Sequence, residues 1–224
     1  MNLSPGNIDA LIFDMDGTLW NATHSYAKVW NATCQDLGID ASFSGSDLMK
    51  YMGMSLDEIL EHLLGDTVNV DRSVFLKLLG ENENNMMPSL GGVLYDGVSE
   101  GLTALSKRYR LFMLSNCSAR GLVNFTAFTG TACLFEGLLA QGERPVSKSE
   151  NLRYMKQHYS LQNPIYVGDT QADCNQAHDA SIAFAFAKWG FGTCTSADLC
   201  FDSFSSLAYK TKYWARPHNT HCKV

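Results

Sequence analysis

Ala10-Leu11-Ile12-Phe13 is an unbroken apolar run halted by Asp14-Met15-Asp16-Gly17-Thr18. A run this short with no polar alternation is what a strand needs when both of its faces are covered, as in a parallel sheet. Gly17 then lets the chain turn sharply at no Cβ cost. The same profile returns twice, in Leu111 to Leu114 before Ser115-Asn116 and in Ile165-Tyr166-Val167 before Gly168-Asp169. Each of these three strands stops at polar or acidic residues.

Between the first and second runs the spacing becomes helical from about His24 to Met87. Apolar residues fall at Tyr26, Val29, Trp30 and Leu37, then Ile59, Leu60, Leu63 and Leu64, then Val74, Phe75, Leu78 and Leu79. Gly38, Gly53, Gly65 and Gly80 punctuate it, so about four short helices are expected. After Pro88 and Gly91-Gly92 the alternation predicts helices over 98–109, 120–128, 150–158 and 172–180, and strands over 111–114, 138–140, 165–167 and 182–186. This rhythm predicts an α/β fold, a doubly wound Rossmann-like parallel sheet, carrying an inserted all-helical unit. The expected division is a core of 1–21 and 90–224 with a helical cap of 22–89.

In such a sheet the ligand crevice lies beyond the carboxyl ends of the strands. That rule selects Asp14, Asp16, Ser115, Asn116, Asp169 and Asp173 with no assumption about catalysis. Asp14 and Asp16 are two apart on extended chain and share a face, and Asp173 lies one helical turn beyond Asp169. Converging carboxylates repel one another unless a cation joins them, and an all-oxygen set of this kind suits Mg²⁺.

These residues resemble the motifs of the haloacid dehalogenase-like superfamily, in its phosphoglycolate-phosphatase-like branch with a helical cap. The four motifs stand in order as Phe13-Asp14-Met15-Asp16-Gly17-Thr18, Leu114-Ser115-Asn116, Lys148, and Val167-Gly168-Asp169 through Asp173. The resemblance implies a phosphatase in which Asp14 is the nucleophile and Asp16 the general acid and base. It places Thr18, Ser115, Asn116 and Lys148 against the substrate, and Mg²⁺ among Asp14, Asp16, Asp169 and Asp173. Physics asks for the same parts. A carboxylate approaching a phosphate dianion needs a metal and a lysine to screen it, and Asp16 must start protonated while Asp14 is ionised.

Two departures from the pattern matter. The proline of the third motif stands early, in Arg144-Pro145, which makes Arg144 a rival to Lys148; Lys148 is favoured because it directly precedes an expected helix start. Trp20-Asn21 replaces the commoner aliphatic residue and Asp, which bears on substrate preference. A sugar phosphomutase is the near alternative, disfavoured because Ala22 and Tyr26 stand where that type carries Thr and His. A more distant rival is a serine hydrolase built on Gly97-Val98-Ser99-Glu100-Gly101, with Asp169 or Asp198 and then His218 or His221 following in the required order. It leaves the clustered aspartates unexplained. Cys174 with His178, and the terminal His218, His221 and Cys222, fall short of a zinc set.

Composition narrows the partners. The 224 residues are 46% hydrophobic and 18% charged with a formal charge of −6 and no long run of one sign, which disfavours a dedicated nucleic-acid or membrane-surface binder. The apolar runs are too short for a membrane span. Seven scattered cysteines without a C-x-x-C pair suit buried thiols in a reducing compartment. The expectation is a cytoplasmic enzyme acting on a small phosphorylated metabolite; the resemblance implies that Gly53-Met54-Ser55 dips toward the substrate, with a simple interhelical turn as the alternative.

Overall fold

The computed structural model describes residues 7–54, 56–65, 71–118, 120–141, 143–144 and 146–211, without the side chains of Asp57 and Leu64. Ser55, Pro145, His218, His221 and Cys222 lie outside the described residues. Six parallel strands form the central sheet: β1 (Ala10–Phe13), β4 (Arg110–Ser115), β5 (Gly137–Ala140), β6 (Pro164–Gly168), β7 (Ala183–Ala187) and β8 (Leu199–Phe201), in the order β5-β4-β1-β6-β7-β8. β1 is central, with Phe13 opposite Met113 on one side and Val167 on the other. The strand order reverses direction at β1, so the crevice opens at its carboxyl end.

Alternation along the strands sorts their side chains into two cores, as the pleat requires. Leu11, Phe13, Leu111, Met113, Ile165, Val167, Ala183 and Ala185 pack on one face. Ala10, Ile12, Phe112, Leu114, Tyr166, Phe184 and Phe186 pack on the other. Covering helices are α5 (Val98–Ser106), α6 (Gly121–Thr129), α7 (Lys148–His158), α8 (Gln171–Asp179) and α9 (Phe204–Thr211). A two-residue antiparallel ribbon, β2 (Trp20–Asn21) with β3 (Val93–Leu94), joins the two chain crossings that flank the intervening helices.

Those helices are α1 (Thr23–Asp36), α2 (Gly45–Met49), α3 (Leu56–Leu64) and α4 (Arg72–Leu90). Trp30 of α1 meets Phe75 of α4 with ring centroids 5.4 Å apart. Two expectations need correction here. Gly80 does not end a helix, because α4 continues through it. Pro88 does not end it either: the helix runs to Leu90 and stops at Gly91, whose φ of 55° is left-handed and whose N–H bonds the Met87 carbonyl. The burial of Phe75, Leu79, Glu83 and Met87 on one face outweighs the hydrogen bond that proline cannot make.

Among the described residues no helix is long and apolar enough to cross a membrane. The six described cysteines are unpaired; Cys34 and Cys174 are buried, whereas Cys133 and Cys200 are exposed, so burial describes only some of them.

Candidate active site

β1, β4 and β6 lie side by side, and each delivers polar residues to one end of the sheet. Asp14 follows β1, Ser115 ends β4 with Asn116 next, and Asp169 follows β6. Lys148 opens α7, whose start is fixed by a capping box in which Ser147 and Glu150 satisfy each other's orphan amides. From there its Nζ reaches Asp14 Oδ1 at 3.3 Å and Asp173 Oδ1 at 2.7 Å. Arg144, the rival, stacks on the Tyr154 ring at 3.8 Å instead and is absent from the cavity wall.

Asp173 is fully engaged by the protein. Oδ1 accepts from Lys148 and from the Tyr166 hydroxyl at 3.4 Å, and Oδ2 accepts from the Thr170 amide and hydroxyl at 3.2 and 2.7 Å. It is therefore also the capping-box residue of α8. Burial alone would push its carboxyl up, but the Lys148 ammonium and these donors hold it below the usual range.

The other acids move the opposite way. Burial raises Asp14 to about 6, with Lys148 countering and Asp173 adding to the rise. Burial, then the charges of Asp173 and Asp14, raise Asp169 to about 8, against the pull of the Phe191 amide, which donates to Oδ2 at 2.7 Å. Asp16 goes well above the ordinary value through burial and the nearby Asp14 charge. Its carboxyl is clamped by the Trp20 indole N–H at 2.9 Å and the Tyr26 hydroxyl at 3.3 Å. By sequence Trp20 is a departure from the family pattern, and Tyr26 both an apolar-face position of a helix and a departure from the mutase pattern; the fold turns both into donors.

Oxygens of Asp14, Asp169 and Asp173 lie within 4.8 Å of one another, and among the described residues this is the one group of three acids, histidines or cysteines so placed. Asp14 and Asp169, both forced upward in pKa beside an ionised Asp173 with one lysine among the three, are what a hard divalent cation would relieve. The residues present fit such an ion. Gly17 makes the arrangement sterically feasible: its φ is 84°, and a Cβ there, or at Gly190, would collide with the Asp169 carboxylate. Thr18 is buried and its hydroxyl points at Asp169 Oδ1, 3.3 Å away; it is not part of the cavity wall.

A cavity of about 70 Å³ opens above these groups. Its floor is Asp14, Asp16, Ser115, Asn116 and Lys148, and its roof comes from α1 to α4. Gly53 and Met54 line it, and the Asn116 amide N–H donates to the Gly53 carbonyl at 2.7 Å. Glu83, from the buried stripe of α4, also faces in. Nothing in the sequence reading singled it out; the signal was its place four residues after Leu79 on an otherwise apolar face. Ser99 lies exposed in the first turn of α5 and does not reach the cavity, and the left-handed Gly97 is that helix's N-cap.

Residues 11–187 match the family model described as haloacid dehalogenase-like hydrolase. A phosphoglycolate phosphatase of Colwellia psychrerythraea is 26% identical over 221 residues, covering 91% of this chain and 97% of the relative. Pyrophosphatase PpaX of Listeria monocytogenes is 22% identical over 189 residues, with coverage of 82% and 85%. Among solved structures, a predicted phosphoglycolate phosphatase from Haemophilus somnus superposes with a TM-score of 0.79 at 23% identity, covering 92% of this chain and 98% of that one. CbbY from Rhodobacter sphaeroides in complex with phosphate gives 0.77 at 18% identity, with coverage of 89% and 96%.

Proposed function

Because the chain belongs to the haloacid dehalogenase-like hydrolases, we propose that it is a phosphatase hydrolysing a small phosphomonoester through an aspartyl-phosphate on Asp14. The observation that carries the reading is the unlike state of two neighbouring carboxyls facing one cavity. Asp14 lies against the Lys148 ammonium, whereas Asp16 is held by neutral donors and pushed toward its protonated form. Such a split supports Asp14 as the nucleophile and Asp16 as the acid.

Asp14 attacks phosphorus as the ester P–O bond breaks, and Asp16 delivers its proton to the departing oxygen. Asp16, now ionised, takes a proton from the water that attacks the acyl phosphate, which frees Asp14 and inorganic phosphate. Ser115 and the backbone N–H of Asn116 hold equatorial phosphate oxygens. Lys148, fixed by Asp173, lies between nucleophile and phosphate and offsets their repulsion. Asp14, Asp169 and the Asp16 carbonyl would hold Mg²⁺, which when bound supplies further screening of the phosphate charge. Asp173, counted from sequence among the metal ligands, contributes through Lys148 because its oxygens are already engaged. Thr18 serves Asp169 in the same indirect way. Residues 22–89 act as a cap on a core of 1–21 and 90–224, excluding water and bulky esters from the cavity.

Separate substitutions of the two acids test this. Asp14→Asn abolishes turnover of every substrate. Asp16→Asn costs about 10²–10⁴-fold with alkyl phosphates, and far less in the first step with p-nitrophenyl phosphate, whose leaving group needs little protonation. A burst of nitrophenol and accumulated phosphoenzyme then follow. Equal slowing of both ester types in single-turnover measurements, or an active Asp14→Asn protein, refutes the assignment.

A further inference from the structure

Glu83 stands out on chemistry. α4 buries Phe75, Leu79, Glu83 and Met87 at four-residue intervals, so a carboxyl occupies a position that the helix otherwise fills with apolar side chains. It is only 8% exposed and faces the cavity above Asp14 and Asp16. Among the described residues no lysine or arginine pairs with it; its polar surroundings are the Ser118 hydroxyl and, further off, Asp16, Tyr26 and Cys117, and burial pushes its carboxyl up. A buried carboxyl with no cation beside it is costly unless something brings a hydrogen-bond donor to it.

A second atom asks for the same thing. Asn116 donates its amide N–H to Gly53, which leaves Oδ1 as the free end, and that buried acceptor has no partner. The rest of the roof is mostly apolar, with Val29, Leu48, Leu56, Ile59 and Leu79; the neutral donors around it are the Tyr26 hydroxyl, already given to Asp16, the Ser118 hydroxyl and the Trp30 indole. The only cation on the cavity wall, among the described residues, is Lys148, and it is already engaged by Asp14 and Asp173 on the floor. Among the described residues no cation in the roof would receive a second anionic group, and an ionised Glu83 would repel one.

From this we infer that the ester's leaving group is a short, largely apolar chain bearing a hydrogen-bond donor, an ammonium or a hydroxyl, that Glu83 receives, and that it carries no carboxylate or second phosphate. The inference rests on the phosphatase reading and selects among that reading's substrates. It also separates this chain from what the names of its relatives would suggest, since phosphoglycolate and pyrophosphate each carry a second anionic group into a cavity that Glu83 lines.

The test measures phosphate release with Mg²⁺ from 2-aminoethyl phosphate, 2-hydroxyethyl phosphate, 2-phosphoglycolate and inorganic pyrophosphate, which differ mainly at the end facing the roof. p-Nitrophenyl phosphate runs alongside as the measure of phosphatase activity itself. The expected result is a kcat/KM for the aminoethyl or hydroxyethyl ester at least ~10-fold above that for either anionic substrate. Glu83→Gln, which keeps an acceptor oxygen but loses the charge, should shrink the aminoethyl preference about 10-fold or more and spare a hydroxyethyl preference; Glu83→Leu should erase both. That contrast tells an ammonium substrate from a hydroxylated one. If the wild-type protein turns over p-nitrophenyl phosphate yet takes phosphoglycolate or pyrophosphate as well as the donor-bearing esters, or is indifferent among the four, the inference is overturned while the phosphatase reading stands. Unchanged ratios in folded Glu83 variants overturn it too, and if those variants do not fold the wild-type ratios decide alone. No release from any substrate, p-nitrophenyl phosphate included, overturns the phosphatase reading and the inference with it.

Discussion

Lys148→Met removes the ammonium from between two buried carboxylates and keeps a side chain of similar length. Nζ lies 3.3 Å from Asp14 and 2.7 Å from Asp173, and the three side chains are 3–5% exposed, so water cannot take over the lost contacts. Removing one partner of such a pair costs about 3–5 kcal/mol, equivalent to roughly 10 °C in Tm for a chain of this size. Asp14 already sits at about 6 and takes up a proton readily, so most of the cost falls on Asp173, which Lys148 holds below the ordinary range. Two consequences follow. The cost is larger at pH 7.5 than at pH 5.5, where protonation relieves the orphaned charge. Adding Asp173→Asn, which keeps an acceptor for the Thr170 amide at the start of α8, recovers about 2 kcal/mol. Urea unfolding of wild type, both single variants and the double variant in EDTA at both pH values gives the full cycle. A loss below about 1 kcal/mol for Lys148→Met, or a double variant no more stable than Lys148→Met, refutes the picture of a charged buried triad.

Asp169 at about 8 and Asp14 at about 6 are both raised, so between pH 4 and 8 the metal-free folded state binds more protons than the unfolded chain, and their contribution to stability falls as pH rises through those values. Thermal unfolding in EDTA should therefore show Tm declining over that window on their account, with added Mg²⁺ raising Tm most at the alkaline end; an equal Mg²⁺ effect at pH 5 and pH 8.5 contradicts it. Tyr26→Phe deletes a donor that lowers the Asp16 pKa, so the alkaline limb of kcat/KM for alkyl phosphates should move to higher pH with a loss of about 2–10-fold in rate. A limb that moves down or stays fixed shows that Tyr26 does not position the acid. Gly190→Ala should weaken the Mg²⁺-induced rise in Tm, because the new methyl displaces the Asp169 carboxylate.

The sheet was legible because its strands advertise themselves. The expected 111–114 and 165–167 became β4 (Arg110–Ser115) and β6 (Pro164–Gly168), and the polar residues that stop them are the ones that meet in the crevice. Helix starts were less visible: α7 begins at Lys148, two residues early, because the Ser147–Glu150 box that fixes it went unread. β2, β3 and β8 carry too few residues for any periodicity. At the site, type and spacing pointed to the acids, but they could not say that Asp173 spends both oxygens on Lys148, Tyr166 and Thr170, or that Trp20 and Tyr26 grip Asp16. The Lys148–Asp173 pair is a cross-element contact that spacing does not announce, and the grip of Trp20 and Tyr26 on Asp16 depends on how the chain turns after β1; the Thr170–Asp173 capping box, three residues apart, was a local signal left unread. Glu83 was hidden because only the packing of α4 over the crevice shows where it faces.

The central place of β1 also governs how the chain comes into being. It is the first strand of the sheet in the chain, yet one of its sides is paired late, because Phe13 must wait for Val167, about 150 residues further on. At ribosomal rates of roughly 5–20 residues per second, that interval is on the order of 10–30 s. Throughout it, Ala10-Leu11-Ile12-Phe13 has no partner on that side, while α1 to α4 are complete and can collapse on their own contacts. The strand that relieves the exposed edge is the one that brings Asp169. Arrival of Asp169 and cover for that edge of β1 are therefore a single late event, and a nascent chain stalled before residue 164 carries an open, apolar strand edge as an aggregation hazard.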